Sequence, residues 1–160
     1  MTDFENSSFM CKGDSLYTNY ASAIGTAVGL SSIGGKTGIA TDGSRAAKSA
    51  AYSIMGALSA ASSRVWNFGE SFYAQFQYLV KFCSLDSGIF ISRKNAQTVI
   101  RICGKNGLPI SINAQNELES IMNNSKFLED KPASFGEISE MHGVGMMYLR
   151  QLLRQARGEL

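Results

Sequence analysis

The sequence predicts an all-α protein, and three patterns support that fold class. Two stretches rich in alanine, glycine and serine, at residues 15–33 and 44–66, repeat small side chains every four positions. An aromatic stretch follows, in which Phe72, Phe76 and Leu79 recur every three or four positions. Aliphatic side chains keep a similar spacing in the C-terminal third, and this is the period of an amphipathic helix. We therefore expect a small-residue helical hairpin followed by a helical bundle.

Length and composition fit one compact domain, or a small domain with an extension. The chain has 160 residues, and 44% of them are hydrophobic, which is enough for a core. Its formal net charge of +2 is too small to indicate a nucleic-acid partner by itself. We expect a flexible polar lead at residues 1–14, an oligomerisation part at 15–90 and a helical unit at 91–160.

The cysteines and the N-terminus predict a cytoplasmic location, in a bacterial cell or an infected host. Cys11, Cys83 and Cys103 are an odd number without CxxC spacing, which is typical of free thiols in a reducing compartment. The first 14 residues lack the basic and apolar regions of a secretory signal. Association with a particle is the alternative.

Residues 15–35 carry no formal charge, and Ala21, Gly25 and Gly29 fall four apart. That spacing lets two helix backbones approach closely. A membrane contact through this stretch is disfavoured, because the stretch is weakly hydrophobic and poor in Leu, Ile and Phe. We predict instead a helix that packs against the helix at 44–66, with residues 38–43 forming the turn between them.

The remaining elements are predicted from their caps and breaks. Ser44 can cap the helix at 44–66, and an aromatic helix from Phe72 to Cys83 is expected at the centre of the core. The run at residues 88–91 could make one short strand, for which no partner strand is evident. A capped helix is predicted at 92–103 and another helix at 111–124, separated by glycines and an extended link.

The C-terminal stretch, residues 134–160, predicts a short helix, a glycine turn and a second, basic helix. Ser134 and Glu137 have the spacing of a capping box, and Gly143 can take the left-handed conformation that ends a helix. Aliphatic residues recur at helical spacing in the second helix, and no acid lies between Gly145 and Arg157.

This stretch resembles the helix-turn-helix of bacterial DNA-binding regulators over residues 134–157. The motif positions that carry the resemblance are Ile138, Ser139, Gly143, Val144, Leu149 and Leu153. The sequence departs from the motif at Gly145, where Ser or Thr is usual, and at Met146 to Tyr148, where polar groups that read bases are expected. The helix at 111–124 is available as the third helix of such a unit.

The resemblance implies a small DNA-binding regulator, a homo-oligomer whose partner is duplex DNA and whose second helix enters the major groove. The side chains suited to base edges and phosphates are Arg150, Gln151, Arg154, Gln155, Arg157 and Lys131. The alternative is a non-enzymatic assembly protein of a phage particle or a secretion machine, built on the packing of small-residue helices.

No catalytic residue, metal site or cofactor is expected from the sequence. His142 is the only histidine, and it lies at the predicted turn without a suitable Cys or acid pair nearby. One histidine and three scattered cysteines do not offer the ligand pattern of zinc. The sequence therefore predicts a protein that is not an enzyme.

Overall fold

The structure, a computed structural model, describes residues 4–5, 8–11, 17–124 and 134–158 and has an α/β fold. The strands are β1 (Phe4–Glu5), β2 (Ser8–Cys11), β3 (Lys36–Thr41), β4 (Arg64–Glu70), β5 (Ser87–Lys94), β6 (Gln97–Cys103) and β7 (Ile138–Glu140). The helices are α1 (Tyr17–Leu30), α2 (Arg45–Ala60), α3 (Tyr73–Phe82), α4 (Ile112–Asn123) and α5 (Gly145–Ala156). A short 3-10 turn covers Lys105–Gly107.

The strands form one mixed sheet in the order β1-β2-β6-β5-β3-β4-β7. β3 runs parallel to both of its neighbours, β4 and β5, and β7 runs parallel to β4. β6, β2 and β1 extend the other side of the sheet by antiparallel pairing. Parallel neighbours need crossover connections, which α2 and α3 provide.

Helices cover both faces of the sheet. On one face, α1, α2 and α4 pack over an aliphatic core that includes Ile39, Ile89 and Ile100. On the other face, α3 packs over an aromatic core that includes Phe76 and Phe90. Ile89 and Phe90 are adjacent in β5, so the alternation of side chains along a strand sends them to opposite layers. The result is a three-layer α/β/α arrangement.

The predicted all-α fold class is wrong, because segments expected to be turns and a helix are strands. Residues 38–43 were expected to form a turn, yet β3 occupies the middle of the parallel strands. The helix predicted at 92–103 is part of the β5–β6 hairpin, in which Lys94 pairs with Gln97 across Asn95 and Ala96. In β6 the buried residues alternate with half-buried ones. That period of two belongs to a strand, although apolar residues four apart also fit a helix.

Five helices, α1 to α5, were predicted close to where they occur. Ser44 caps α2 through its hydroxyl, which accepts a hydrogen bond from the Ala47 amide, and Ser111 caps α4 in the same way. α1 and α2 pack closely, because a Cβ on Gly25 would come within 2.7 Å of the Ile54 carbonyl oxygen. They are not a hairpin, since β3 lies between them in the chain.

The prediction of a first helix for the helix-turn-helix is wrong, because that segment is extended. Ile138 and Ser139 belong to β7 and pair with Val65 and Trp66. The segment just before β7 also lies along β4, where the Val65 amide donates to the Glu137 carbonyl at 2.9 Å. A strand edge with unpaired amides accepts an extended segment, and this outweighs the local capping-box pattern of Ser134 and Glu137. The second helix is present as α5.

The remaining expectations concern the N-terminal part of the chain. Only part of the expected flexible lead at residues 1–14 is described, and it forms β1 and β2 at the edge of the sheet. None of the helices in the described ranges is long and apolar enough to cross a membrane.

Candidate functional site

The strand order points to a crevice between the carboxyl ends of β3 and β4. The chain leaves β3 for α2 on one face of the sheet, and leaves β4 for α3 on the other face. Adjacent parallel strands whose connections diverge leave a crevice outside their carboxyl ends, and ligands of open α/β sheets bind there. Residues 41–45 form one wall of this crevice, and residues 70–72 form the other wall.

Asp42 fixes the loop between β3 and α2. Its Oδ1 accepts hydrogen bonds from the Ser44 amide at 2.9 Å and the Ser44 hydroxyl at 2.7 Å, and its Oδ2 accepts one from the Arg93 amide at 2.8 Å. Burial raises the pKa of the Asp42 carboxyl, but the hydrogen bonds from Arg93 and Ser44 outweigh it and leave the pKa below its ordinary value. The group is therefore a carboxylate at neutral pH, and it ties the start of α2 to the end of β5.

The N-terminus of α2 supplies positive potential to the same edge. The first turn of this helix contains no acid, and the Arg45 and Lys48 side chains are exposed. Unpaired amides and the helix dipole give a helix N-terminus a partial positive charge, which favours phosphate oxygens. Two further cations, Arg93 and Lys94, are exposed at the end of β5, the other parallel neighbour of β3.

The second wall carries a carboxylate and an aromatic ring. A Cβ on Gly43, whose φ is +85°, would come within 2.5–2.7 Å of the Glu70 carboxylate, so that group lies directly against the β3–α2 loop. The Ser71 amide donates to the Thr41 carbonyl at 2.9 Å and joins the two walls. The next residue, Phe72, is 79% exposed. Carboxylates can accept hydrogen bonds from hydroxyl groups, so this edge combines cations for an anion with acceptors for a polyol.

No group of three or more His, Cys, Asp or Glu side chains converges within the parts of the chain that the structure describes. A separate cavity of about 210 Å³ lies at the opposite, amino edge of the sheet. There the Asp86 carboxylate accepts a hydrogen bond from the Lys36 amide at 3.0 Å and lies 4.0 Å from Lys105 Nζ. These contacts hold the start of β3, whereas the connections of β3 and β4 diverge to opposite faces at the carboxyl edge.

The structure places the residues predicted from the sequence elsewhere. The predicted DNA-contacting residues of α5 are exposed, except for the half-buried Gln151; they are Arg150, Gln151, Arg154, Gln155 and Arg157. Lys131 lies outside the described residues. Of the motif core, Gly143 and Val144 precede α5, and Leu149 and Leu153 are exposed on it. The α5 helix packs near α3, where the Tyr78 and Tyr148 ring centroids are 5.5 Å apart.

Sequence reasoning missed the carboxyl edge, with the exception of Ser44 as a helix cap. The signal was present at residues 40–45, where a short apolar run is followed by Thr-Asp-Gly-Ser and an alanine-rich helix. A polar, glycine-containing loop between a strand and a helix is the usual place for ligand contacts in α/β proteins. The loop was not recognised because β3 itself was expected to be a turn.

Comparison with known proteins supports the α/β/α assignment. The family model for phosphoglucomutase/phosphomannomutase, alpha/beta/alpha domain I, matches residues 12–129, well over half of the chain. A phosphoglucomutase/phosphomannomutase family protein from Burkholderia thailandensis is similar with a TM-score of 0.75 and 17% identity, over 94% of this chain and 35% of that protein. A protein assigned as a phosphomannomutase from Thermus thermophilus is similar with a TM-score of 0.68 and 16% identity, over 88% of this chain and 33% of that protein. No curated protein matches the chain.

These matches correct the functional expectations drawn from the sequence. The TM-scores to the solved structures show a shared fold, and at 16–17% identity they show the fold alone. The chain spans about a third of the length of those proteins. The family match overturns the helix-turn-helix resemblance, the DNA-binding regulator with duplex DNA as its partner, the assembly alternative and the expectation of a non-enzyme. The individual contacts proposed for the α5 arginines lose the motif on which they depended. The expected homo-oligomer and cytoplasmic location stay predictions.

Proposed function

Because this chain belongs to the phosphoglucomutase/phosphomannomutase family through its α/β/α domain I, we propose that it is the part of a sugar phosphate mutase that holds the substrate's phosphate. The observation that carries the proposal is the crevice between β3 and β4. There the first turn of α2 contains no acid and carries the exposed cations Arg45 and Lys48.

The chemistry of the edge suits a hexose phosphate. The phosphate is a doubly charged anion near neutral pH, and the α2 N-terminus with its cations can neutralise it. The sugar hydroxyls are donors, and the Asp42 and Glu70 carboxylates can accept from them. Phosphoryl transfer depends mainly on positioning and on stabilising charge on the transferred group, so a site of this kind would contribute binding energy in the transition state.

We expect the chain alone to bind such a ligand without turning it over. The similar solved proteins are about three times as long, and closed phosphoryl-transfer sites are commonly completed by several elements. Turnover would then need groups beyond the described residues, and the separate chain would show weak, phosphate-dependent binding, with Kd values on the order of 1 mM.

Titration calorimetry tests the proposal with glucose 6-phosphate, mannose 6-phosphate, inorganic phosphate and unmodified glucose. The phosphate-bearing ligands should bind and glucose should not. Arg45→Ala/Lys48→Ala should weaken binding by about tenfold or more, since charge-assisted hydrogen bonds contribute about 1.5–3 kcal/mol each. Lys81→Ala is the matched control, because Lys81 is an exposed cation in the last turn of α3.

Two results would contradict the proposal. One is the absence of heat with every phosphate ligand at concentrations of roughly 20 mM, well above the expected Kd. The other is equal affinity for the Arg45→Ala/Lys48→Ala and Lys81→Ala variants. The salt dependence of the titration provides a further check, because screening should weaken a phosphate contact at an exposed edge.

A further inference from the structure

The α5 helix is held to the fold by one narrow face. Met147, Tyr148 and Gln151 are its half-buried residues beyond the first position, and none of its residues is buried. Tyr148 contacts the Tyr78 ring of α3, and a Cβ on Gly145 would come within 2.6 Å of the Gln75 side chain. At about 100° per residue the three half-buried side chains lie on a single side of the helix, and Gly145 makes its contact at the first residue of the helix.

The opposite side of α5 is apolar and exposed. Met146, Leu149, Leu152 and Leu153 are between 42% and 56% exposed. On an ideal helix these four side chains and Ala156 fall within a stripe of roughly 120°, which is the width of a face that normally packs against a core. A contiguous apolar face that the fold leaves open is typical of an interaction surface. We call these five residues the α5 stripe.

The charges next to the α5 stripe restrict what can cover it. Arg150, Arg154 and Arg157 project along one border of the stripe at helical spacing, and no acid occurs from Gly145 to Arg157. Two copies of α5 packed antiparallel, stripe to stripe, would bring these cations together on one side, where like charges repel. A helix with an apolar face bordered by Glu or Asp would pair with them instead.

We propose that the α5 stripe docks an acidic amphipathic helix of another protein. The partner helix would place apolar residues spaced at i, i+3, i+4 and i+7 against the α5 stripe. Its acidic side chains would contact Arg150 and Arg154. The apolar contacts supply most of the affinity, and the arginines select the charge of the partner. This surface is formed by residues that take no part in the β3–β4 crevice.

A pair of fluorescent peptides tests the inference by anisotropy. Both are amphipathic helices of about 20 residues, long enough to be helical in the bound state; one has Glu beside its leucine face and the other has Lys at the same positions. The Glu peptide should bind at least about tenfold more tightly than the Lys peptide in ~50 mM salt, and the difference should shrink at ~500 mM salt.

Substitutions in the stripe locate the binding. Leu149→Ser/Leu153→Ser should raise the Kd of the Glu peptide by about tenfold or more, and Arg150→Gln/Arg154→Gln should lower its salt dependence. Ile112→Ser is the matched control, since Ile112 is an exposed aliphatic residue of α4. Hydrogen exchange should show new protection of the α5 amides in the complex, and circular dichroism shows whether each variant is folded.

Four results would overturn the inference. The Glu and Lys peptides could bind equally, or the Glu peptide could fail to bind. The Leu149→Ser/Leu153→Ser variant, once shown to be folded, could bind as well as the Ile112→Ser control. Sedimentation could also reveal a concentration-dependent dimer that this double substitution abolishes, in which case a second copy of the chain is the occupant.

Discussion

Two glycines inside helices have opposite surroundings, and replacing each by alanine measures the packing of α1 on α2. Gly25 lies in α1, where a Cβ would meet the Ile54 carbonyl oxygen at 2.7 Å and the Ala57 Cβ at 3.0 Å. Gly56 lies in α2, and a Cβ there would meet nothing within 4 Å. Both positions are helical, so Gly25→Ala and Gly56→Ala differ mainly in the space available.

The expected magnitudes follow from two contributions to the free energy of unfolding. In a helix interior, alanine is more favourable than glycine by about 0.8–1 kcal/mol, and both variants gain this amount. Overpacking a close backbone contact costs about 1–3 kcal/mol, and only Gly25→Ala incurs it, because a backbone oxygen cannot rotate away. Gly56→Ala should therefore stabilise the protein, and the two variants should differ by about 1–3 kcal/mol regardless of helix propensity.

Urea unfolding monitored by far-UV circular dichroism tests this difference. The urea midpoints of the two variants should differ. The slope of the free energy of unfolding against urea concentration should stay constant, because neither substitution changes the surface exposed on unfolding. The melting temperatures should separate by roughly 2–4 °C for each kcal/mol. Equal stabilisation by both substitutions would refute the close contact between the α1 and α2 backbones, and destabilisation by Gly56→Ala would refute the open surroundings of Gly56.

Three other experiments probe the sheet edge, the β5–β6 turn and a buried thiol. The pKa of Asp42 in the folded protein lies below its ordinary value of 3.8. The ionised carboxylate therefore stabilises the folded state fully above pH 3.8, and this stabilisation is lost as the pH falls through the folded pKa. Asp42→Asn should thus lower the urea midpoint modestly at pH 7, and the gap to wild type should close as the pH falls through the folded pKa; a gap that grows in acid would contradict this. Ala96 has a φ of +59°, so Ala96→Gly should stabilise the protein by roughly 0.5–1 kcal/mol, and a lower thermal midpoint would count against it. Burial raises the pKa of the Cys103 thiol to about 12, so mass spectrometry after iodoacetamide treatment at about pH 8 should find it alkylated only in unfolded protein.

The helices were largely predictable because their signals are local. The caps at Ser44 and Ser111 and the 3.6-residue apolar period lie within each segment, and the corresponding helices α2 and α4 begin at the next residue. The four-residue spacing of Gly25 and Gly29 predicted the close contact between α1 and α2. These features depend on neighbours in the sequence, so the sequence was sufficient for them.

The strands were not predictable in the same way, because their partners are remote. Thr37 pairs with Val65 on one side and Ser87 on the other, and the apolar run of β3 is too short to distinguish a buried strand from a turn by pattern alone. Residues 134–137 carry a helix-start pattern, yet the segment is not helical and residues 137–140 extend along β4. Pairing with a distant strand edge supplied backbone hydrogen bonds that no local pattern encodes.

By itself, the sequence determined most of the helices, the cap at Ser44, and the amphipathic, acid-free character of α5. Only the tertiary structure decided which side of α5 faces solvent and which residues meet at the carboxyl edge. Asp42, Glu70 and Arg93 are far apart in the chain, and the order β5-β3-β4 brings the ends of their strands together. The physical reason is that a helix forms from contacts within a few residues, whereas a sheet and the crevice at its edge form from contacts between distant segments.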